Sequence, residues 1–597
     1  MFVNRVKLRI FSRVSRTTFL ILMLSSAAPA MVKAQEVGPA HSRGPHPFVG
    51  VTIRPDPGPD GNISSVGVSL TWMNAGNKGA LPDLRIPVVY AGITGIADSV
   101  HDLEATDAKG KLPVEVIDDP ADTGGFMSWR RWKASREVQW PLNVHYRSQL
   151  MVRLRPGPPF ALRAKDGGMS GAGAGFLILP DDTRVFNIHL RWDLRNMPPG
   201  SSGVSSLGDG DVKALGKMEE LNSSYYMAGR IARYPAQGSV DHFSAYWVGS
   251  PPFDANAMMA WAAKCNSYYR MFFADQSGTP YRFFLRFGAD YKNVGGSGLT
   301  NSFMMFFPDK DIQGSGLAST HLIIAHEMVH NWVVGLEGPP GVIPWYHEGL
   351  AEYYSRLGTL RAQLQSADDY LKETNQAAVR YYTNPLRNIP NDEVPKLFWK
   401  ERNAQVIPYD RGSLYFADVD SRLRKASHEK TSLDTIILSM LARHRQGKPL
   451  TTDVYLGKLE TVLGPSAKGE FESMIVRGST VVPPSNAFGP CFERRPVQMR
   501  LFELGFDEHA SLDLAPRMVH GLVSGSAAAA AGLREGDEVL QPLAVQPFMG
   551  DPTRKVQFEV RRGDQTFKIE YLPRGAAVEG YEWVKVPGVQ ENRCALP

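Results

Sequence analysis

Cysteine is scarce in this sequence: Cys265, Cys491 and Cys594 are the full set, and no two stand in a CxxC or similar pair. A metal site built on cysteine is thereby excluded. Beyond the first residues there is no apolar run approaching the ~20 residues that a membrane span takes. No GxGxxG opens a helix, so the Gly-rich stretch "DGGMSGAGAG" reads as a loop between strands rather than a phosphate cradle. A real charge surplus is missing as well. The formal +5 comes from the start of the chain, where Arg5, Lys7, Arg9, Arg13 and Arg16 precede the apolar run "FLILMLSSAAPA" and a small-residue site in "VKAQE". That is the pattern of a secretory signal peptide. Cleavage after Ala34 removes these five cations and Lys33 with no acidic residue, turning +5 into −1. Without a basic face to neutralise phosphates, a general nucleic-acid role loses its compositional support. No stable membrane span is expected once the leader is gone, and a periplasmic or secreted location is.

What is present suits an ordinary globular protein: 43% hydrophobic and 21% charged residues, with 56 Gly and 43 Pro implying many turns. A chain of 597 residues is too long for one core. The expected order is a signal peptide over 1–34, an all-β domain over 35–235, a sheet-and-helix body over 236–476, a Pro/Gly/Ser linker over 477–490 and a final unit over 491–597. The all-β expectation rests on short alternating runs such as "VGVSLTWM", "LRIPVVYAG" and "FNIHLRWDL". In the body, the strand candidates "FSAYWVG", "YRFFLRFG" and "GLTNSFMMFFP" precede helical periodicity in "EGLAEYYSRLGTLRAQL", "TSLDTIILSMLARHR" and "VYLGKLETVL". Cys265 sits in an aromatic-rich helical stretch, where a packed thiol is expected. Cys491 and Cys594 bracket the last unit, either bridged in an oxidising compartment or left as buried thiols.

The chemistry gathers at "HLIIAHEMVH", residues 321–330. His326 and His330 are four apart, so on a helix both imidazoles face one side and one ion, with Glu327 at the edge of that face. Two histidines lining a solvated helix face are the bland alternative. Against it, "LIIA" before and "WVV" after make the helix apolar nearly all round, and buried imidazoles with a buried carboxylate need a partner such as a metal. A catalytic zinc takes a third protein ligand and leaves one position open. Glu348, in "WYHEGLAEYY" beyond the turn-forming "GLEGPPGVIP", supplies it, with His347 as a competitor. Glu352, one turn after Glu348, is either the acceptor for the outer nitrogen of a zinc histidine or a surface acid.

With "HEMVHNW", "WYHEGLAEYY" and "PYDRG" in hand, the chain resembles the gluzincin metallopeptidases. The resemblance implies a thermolysin-like zinc-peptidase body acting on peptides or proteins, with Zn²⁺ on His326, His330 and Glu348 and Glu327 as general base. In the Y-x-K/R-G segment of aminopeptidase N relatives the tyrosine hydroxyl stabilises the oxyanion, and Tyr409 is the matching residue. The final unit, with "LFELGF", "GLVSGSAAAAAGLREGDEVL" and "VQFEVRRGDQTFKIEYL", resembles a PDZ domain. In that family the loop matching Glu503, Leu504, Gly505 and Phe506 captures a protein C-terminus, which adds as a strand. Taken end to end, the multidomain α+β chain, with its N-terminal all-β sandwich, is similar to the glycyl aminopeptidase family, although the interval from His330 to Glu348 is nearer that of aminopeptidase N. One feature departs from these relatives. Their Gly-Gly-Leu-Glu-His or Gly-x-Met-Glu-Asn strand carries a glutamate for the substrate's free amine, whereas "GGSGLTNS" puts Thr300 there, beside Asn301. The edge from Gly298 and Leu299 to Thr300 and Asn301 is still expected to pair with substrate backbone. An inactive PDZ-bearing scaffold and an ester or epoxide hydrolase on the same zinc remain as alternatives.

Overall fold

The computed structural model describes Leu22–Met23 and residues 46–596 apart from 75–82, 91–92, 121–126, 151–158, 290, 292–293, 310–314, 340–341, 399, 513–515 and 542. The expected leader therefore lies outside the described residues, except for Leu22–Met23, which run parallel to Gly295–Gly296. No helix among the described residues is long and apolar enough to cross a membrane.

Among the described residues, the part up to Gly229 is built of strands apart from the short helix Met218–Asn222 and two 3-10 turns. Phe48–Pro57 and Ile63–Met73 pair antiparallel at the centre of a seven-stranded sheet, placing Val49, Val51 and Ile53 opposite Trp72, Leu70 and Val68. All six are buried, as the two-residue period of a strand with one covered face requires. Two five-stranded or smaller sheets share the same apolar core, so three sheets stand where a two-sheet sandwich is expected. The Gly-rich stretch is also a correction: Gly168–Ala172 is a fully buried strand pairing with Tyr225–Gly229. A Cβ on Gly168 would meet Ala228 O at 2.6 Å, and one on Gly173 would meet Leu221 O at 2.1 Å. These glycines serve close backbone packing.

The body begins at Ile231–Tyr234, which pairs with Phe243–Val248 and so enters the second domain before residue 236. Phe243–Val248, Tyr281–Gly288 and Ser302–Pro308 run parallel, and Gly295–Leu299 returns antiparallel beside the last of them. The segment "GLTNSFMMFFP" is thus a hairpin, with Thr300 and Asn301 in its turn and Asn301 at φ +48. On the sheet lie the helix Ala255–Phe272, N-capped by Asp254, and the motif helix Ser315–Val329. The glutamate helix Pro344–Arg361, the helix Ala367–Tyr382 and the tyrosine helix Ile407–Ser427 follow, then Leu433–Arg445 and Thr452–Leu463.

The segment 477–490 is no free linker. Val481, Ala487 and Phe488 are buried in the body's core, and Val481 exchanges hydrogen bonds with the Tyr381 and Tyr382 hydroxyls. Beyond it, Phe492–Phe502 and Arg574–Lys585 form an antiparallel ribbon packed on Ala367–Tyr382, and Trp583 pairs with Asn375 through two hydrogen bonds of 2.8 Å. The residues between these strands, joined by Phe502 and by Val406 of the body, form a separate core. There Leu504 and Phe506 point into the core, Glu503 N–H is donated to Pro573 O, and Glu508–Leu512 is helical.

Cys491 and Cys594 are disulfide-bonded, closing the ribbon and everything between across 103 residues, while Cys265 is a buried thiol. Restricting so long a loop in the unfolded chain stabilises the native one, so replacing both cysteines by alanine should cost about 2–5 kcal/mol in urea unfolding. An unchanged midpoint, or three titratable thiols in the denatured wild type, would contradict the bridge.

Candidate metal centre

The motif helix is buried along its length near the motif: Ile323, Ile324, Ala325, Met328 and Val329 are at most 2% exposed. With no wet face to occupy, His326 and Glu327 point inward, and His330 lines the same side one turn on. The chain then doubles back into the glutamate helix, which Pro344 opens at its first turn. That brings Glu348 to the two histidines. His326 Nε2 lies 3.2 Å from Glu348 Oε2 and 3.2 Å from His330 Nε2, and His330 Nε2 lies 3.4 Å from the same Glu348 oxygen. Around a tetrahedral zinc with bonds of 2.0–2.1 Å, ligand atoms stand about 3.3–3.4 Å apart. The triangle fits. Hydrogen bonding alone does not account for it, because a proton on one corner can be given to only one of the other two.

The surroundings orient this set. Glu352 Oε1 stands 3.2 Å from His326 Nδ1, and its Oε2 accepts from Arg356 Nη1 at 2.6 Å. Burial works against the Glu352 charge, but Arg356 and His326 outweigh it and hold the carboxyl well below its usual range. An anion on Nδ1 turns Nε2 towards the triangle. Burial likewise disfavours a charged His326, yet Glu348 and Glu352 lift its pKa to about 10, so metal uptake there must displace a proton. His347, the rival for third ligand, sits outside the triangle at 3.4 Å from the other Glu348 oxygen.

Glu327 is 4% exposed, and its carboxylate accepts from the Gly298 backbone N–H. Burial pushes its pKa up to about 7, with His326 opposing and Glu348 adding. The Gly298 backbone packs closely on this carboxylate: a Cβ there would lie 3.3 Å from Glu327 Oε2 and would press it aside by a few tenths of an ångström. Gly298 and Leu299 end the strand beside the cluster. Thr300 and Asn301, expected on the same edge, are in the turn, where the Thr300 hydroxyl meets Ser223 Oγ at 3.1 Å. They cannot continue a strand ladder.

Tyr409 stands in the first turn of the tyrosine helix, 6% exposed, its ring stacked on His326 with centroids 5.9 Å apart. Two glycines in the motifs themselves, not singled out from sequence, explain how it gets there. A Cβ on Gly349 would fall 2.6 Å from Gly412 Cα, and one on Gly412 would fall 2.4 Å from Trp345 O. The glutamate and tyrosine helices therefore cross in backbone contact, beside Glu348 on one and one turn from Tyr409 on the other. Arg411 is a structural clamp, donating to the carbonyls of Arg387, Ile389 and Ile475, and Asp410 pairs with Arg380.

No family model matches the sequence, and no curated protein does. Among solved structures, the aminopeptidase N family protein from Idiomarina loihiensis aligns with a TM-score of 0.66 at 15% identity, over 92% of this chain and 100% of that one. This chain has that protein's fold. A second structure, an M1 zinc metallopeptidase from Deinococcus radiodurans, aligns over 74% of this chain and 95% of its own at 15% identity, with a TM-score of 0.44. The His326, His330 and Glu348 cluster, able to hold a metal ion, is thus set on an aminopeptidase-like fold. Replacing Glu352 by Gln should weaken zinc binding about 10–100-fold in chelator competition, because the anion behind His326 is lost. Unchanged affinity would show that Glu352 does not orient the ligand.

Proposed function

We propose that the protein is an exported zinc metallopeptidase that hydrolyses peptide bonds. The observation that carries this reading is the ligand triangle of 3.2–3.4 Å with a buried carboxylate, Glu327, beside it under the Gly298 edge. Bound zinc supplies a Lewis acid that polarises a carbonyl and brings the pKa of water to about 7. Glu327 takes the proton from attacking water and hands it to the leaving amine, a task suited to a group whose pKa burial has brought to about 7. Gly298 and Leu299 offer backbone groups that align the substrate chain. Tyr409 donates its hydroxyl to the carbonyl oxygen as negative charge develops there.

Thr300 bears on specificity. A neutral hydroxyl already bonded to Ser223 gives no counter-charge to a substrate ammonium, so cleavage does not depend on a free N-terminus at this point of the cleft. Export is supported by the leader pattern and by a disulfide that persists in an oxidising compartment. The last unit resembles a PDZ domain in its sequence, and capture of a protein C-terminus at Glu503 to Phe506 is not part of the proposal.

The test is a peptide mixture with free and acetylated N-termini, read alongside zinc content. Wild type should cleave both forms at similar kcat/KM, with an acid limb at or below pH about 7, because Glu327 must be ionised to act and the nearby cation favours its charge. Glu327→Gln should keep its zinc and lose about 10³-fold in kcat, and Tyr409→Phe about 10²-fold with little change in KM. Full turnover by the glutamine variant would mean another base. A strong preference for free amines would place an anchor elsewhere, and zinc-loaded wild type that ignores every peptide would refute the peptidase reading.

A further inference from the structure

The core of the C-terminal unit takes its buried side chains from residues 502–571, with one exception among the described residues: Val406, 6% exposed. Val406 stands three residues before Tyr409, and its carbonyl accepts the Asp410 N–H at 3.0 Å, the first turn of the tyrosine helix. No side chain caps this end of the helix: Asp410, Arg411 and Gly412 hold the chain after Tyr409, and nothing in the helix itself holds the residues before it. The seat is provided from outside. Just upstream, Arg402 Nε donates to Glu508 Oε1 of the C-terminal unit at 2.5 Å, both side chains being largely buried. The same segment is tied back to the body by Asn384 Nδ2 donating to Asn403 O at 2.8 Å, and the unit by Phe502 N–H donating to Thr383 O at 2.8 Å. Residues 402–406 are thus held between the C-terminal unit and the chain just past the helix Ala367–Tyr382, at Thr383 and Asn384, and the Tyr409 turn follows.

We propose that the C-terminal unit is a working part of the catalytic site: Val406 in its core and the Arg402–Glu508 pair are positioning residues that hold the Tyr409 turn in register with the metal cluster. The inference rests on the oxyanion role given to Tyr409 above. Breaking a buried ion pair from one side leaves its partner uncompensated, and the first turn can then drift. A hydrogen bond formed only in the transition state is sensitive to such drift, whereas ground-state binding along Gly298 and Leu299 is not.

A double-mutant cycle decides it. Glu508→Gln should lower kcat about tenfold, as small misplacements do, leaving KM and zinc content unchanged, with Glu508→Asp recovering most of the loss. In a Tyr409→Phe background the same Glu508→Gln change should cost nothing further. An equal loss in both backgrounds, or none in either, would overturn the proposal. A readout without turnover covers a wild type inactive on peptides, the outcome that sinks the peptidase reading alone. With fluorotyrosine at position 409, the fluorine resonance should shift or broaden in Glu508→Gln, and identical spectra would overturn the positioning role. If Glu508→Gln fails to fold, Val406→Ala carries the same comparison.

Discussion

Three atoms able to bind one ion, within 3.4 Å of one another and two of them on fully buried side chains, are the constraint on which the rest of the active region turns. His326 and Glu348 have no exposure at all, so neither can turn to water. A buried carboxylate between two imidazoles needs positive charge, from protons or from a cation, and the near-equal edges suit a single ion at the centre. The arrangement around them follows. Glu352 and Arg356 fix one imidazole from behind, and the glutamate helix has to approach the motif helix closely. Its crossing with the tyrosine helix at Gly349 and Gly412 lets a third element reach the same point.

The β-rich half contributes to this region more than its distance in sequence suggests. Tyr225 donates its hydroxyl to Ser297 O at 2.9 Å, one residue before Gly298, and Ser206 Oγ donates to Ser302 Oγ at 2.8 Å on the neighbouring strand. The hairpin that covers Glu327 is therefore pinned from the N-terminal domain. On the far side, the C-terminal ribbon is packed into the body's core and closed by a disulfide. The metal cluster lies in the middle of one continuous scaffold, each part of which touches an element that carries a site residue.

Much of the site was legible because its residues are related by helical spacing. Two histidines four apart on an apolar helix, and a glutamate opening the next helix, need only the 3.6-residue period to be placed together. Tyr409 came from the resemblance, not from spacing, and Thr300 and Asn301 were misplaced because a two-residue turn inside an apolar stretch looks like continuous strand. Glycine is ambiguous for the same reason. In Gly168–Ala172, read from sequence as a loop, it marks close packing of buried strands, and in Gly349 and Gly412, which the sequence did not single out, a helix crossing. The role of Val406 was invisible, since its partners lie about a hundred residues or more away. So was the packing of 477–490, whose composition is that of a linker while Val481 and Phe488 are core.

The most direct test of the central claim is anomalous diffraction from crystals of the zinc-loaded protein, recorded on both sides of the zinc absorption edge. The account predicts one strong peak at 2.0–2.2 Å from His326 Nε2, His330 Nε2 and a Glu348 oxygen. No peak there, or a zinc ion held at some other place in the molecule with these three side chains bonded only to one another, would contradict it.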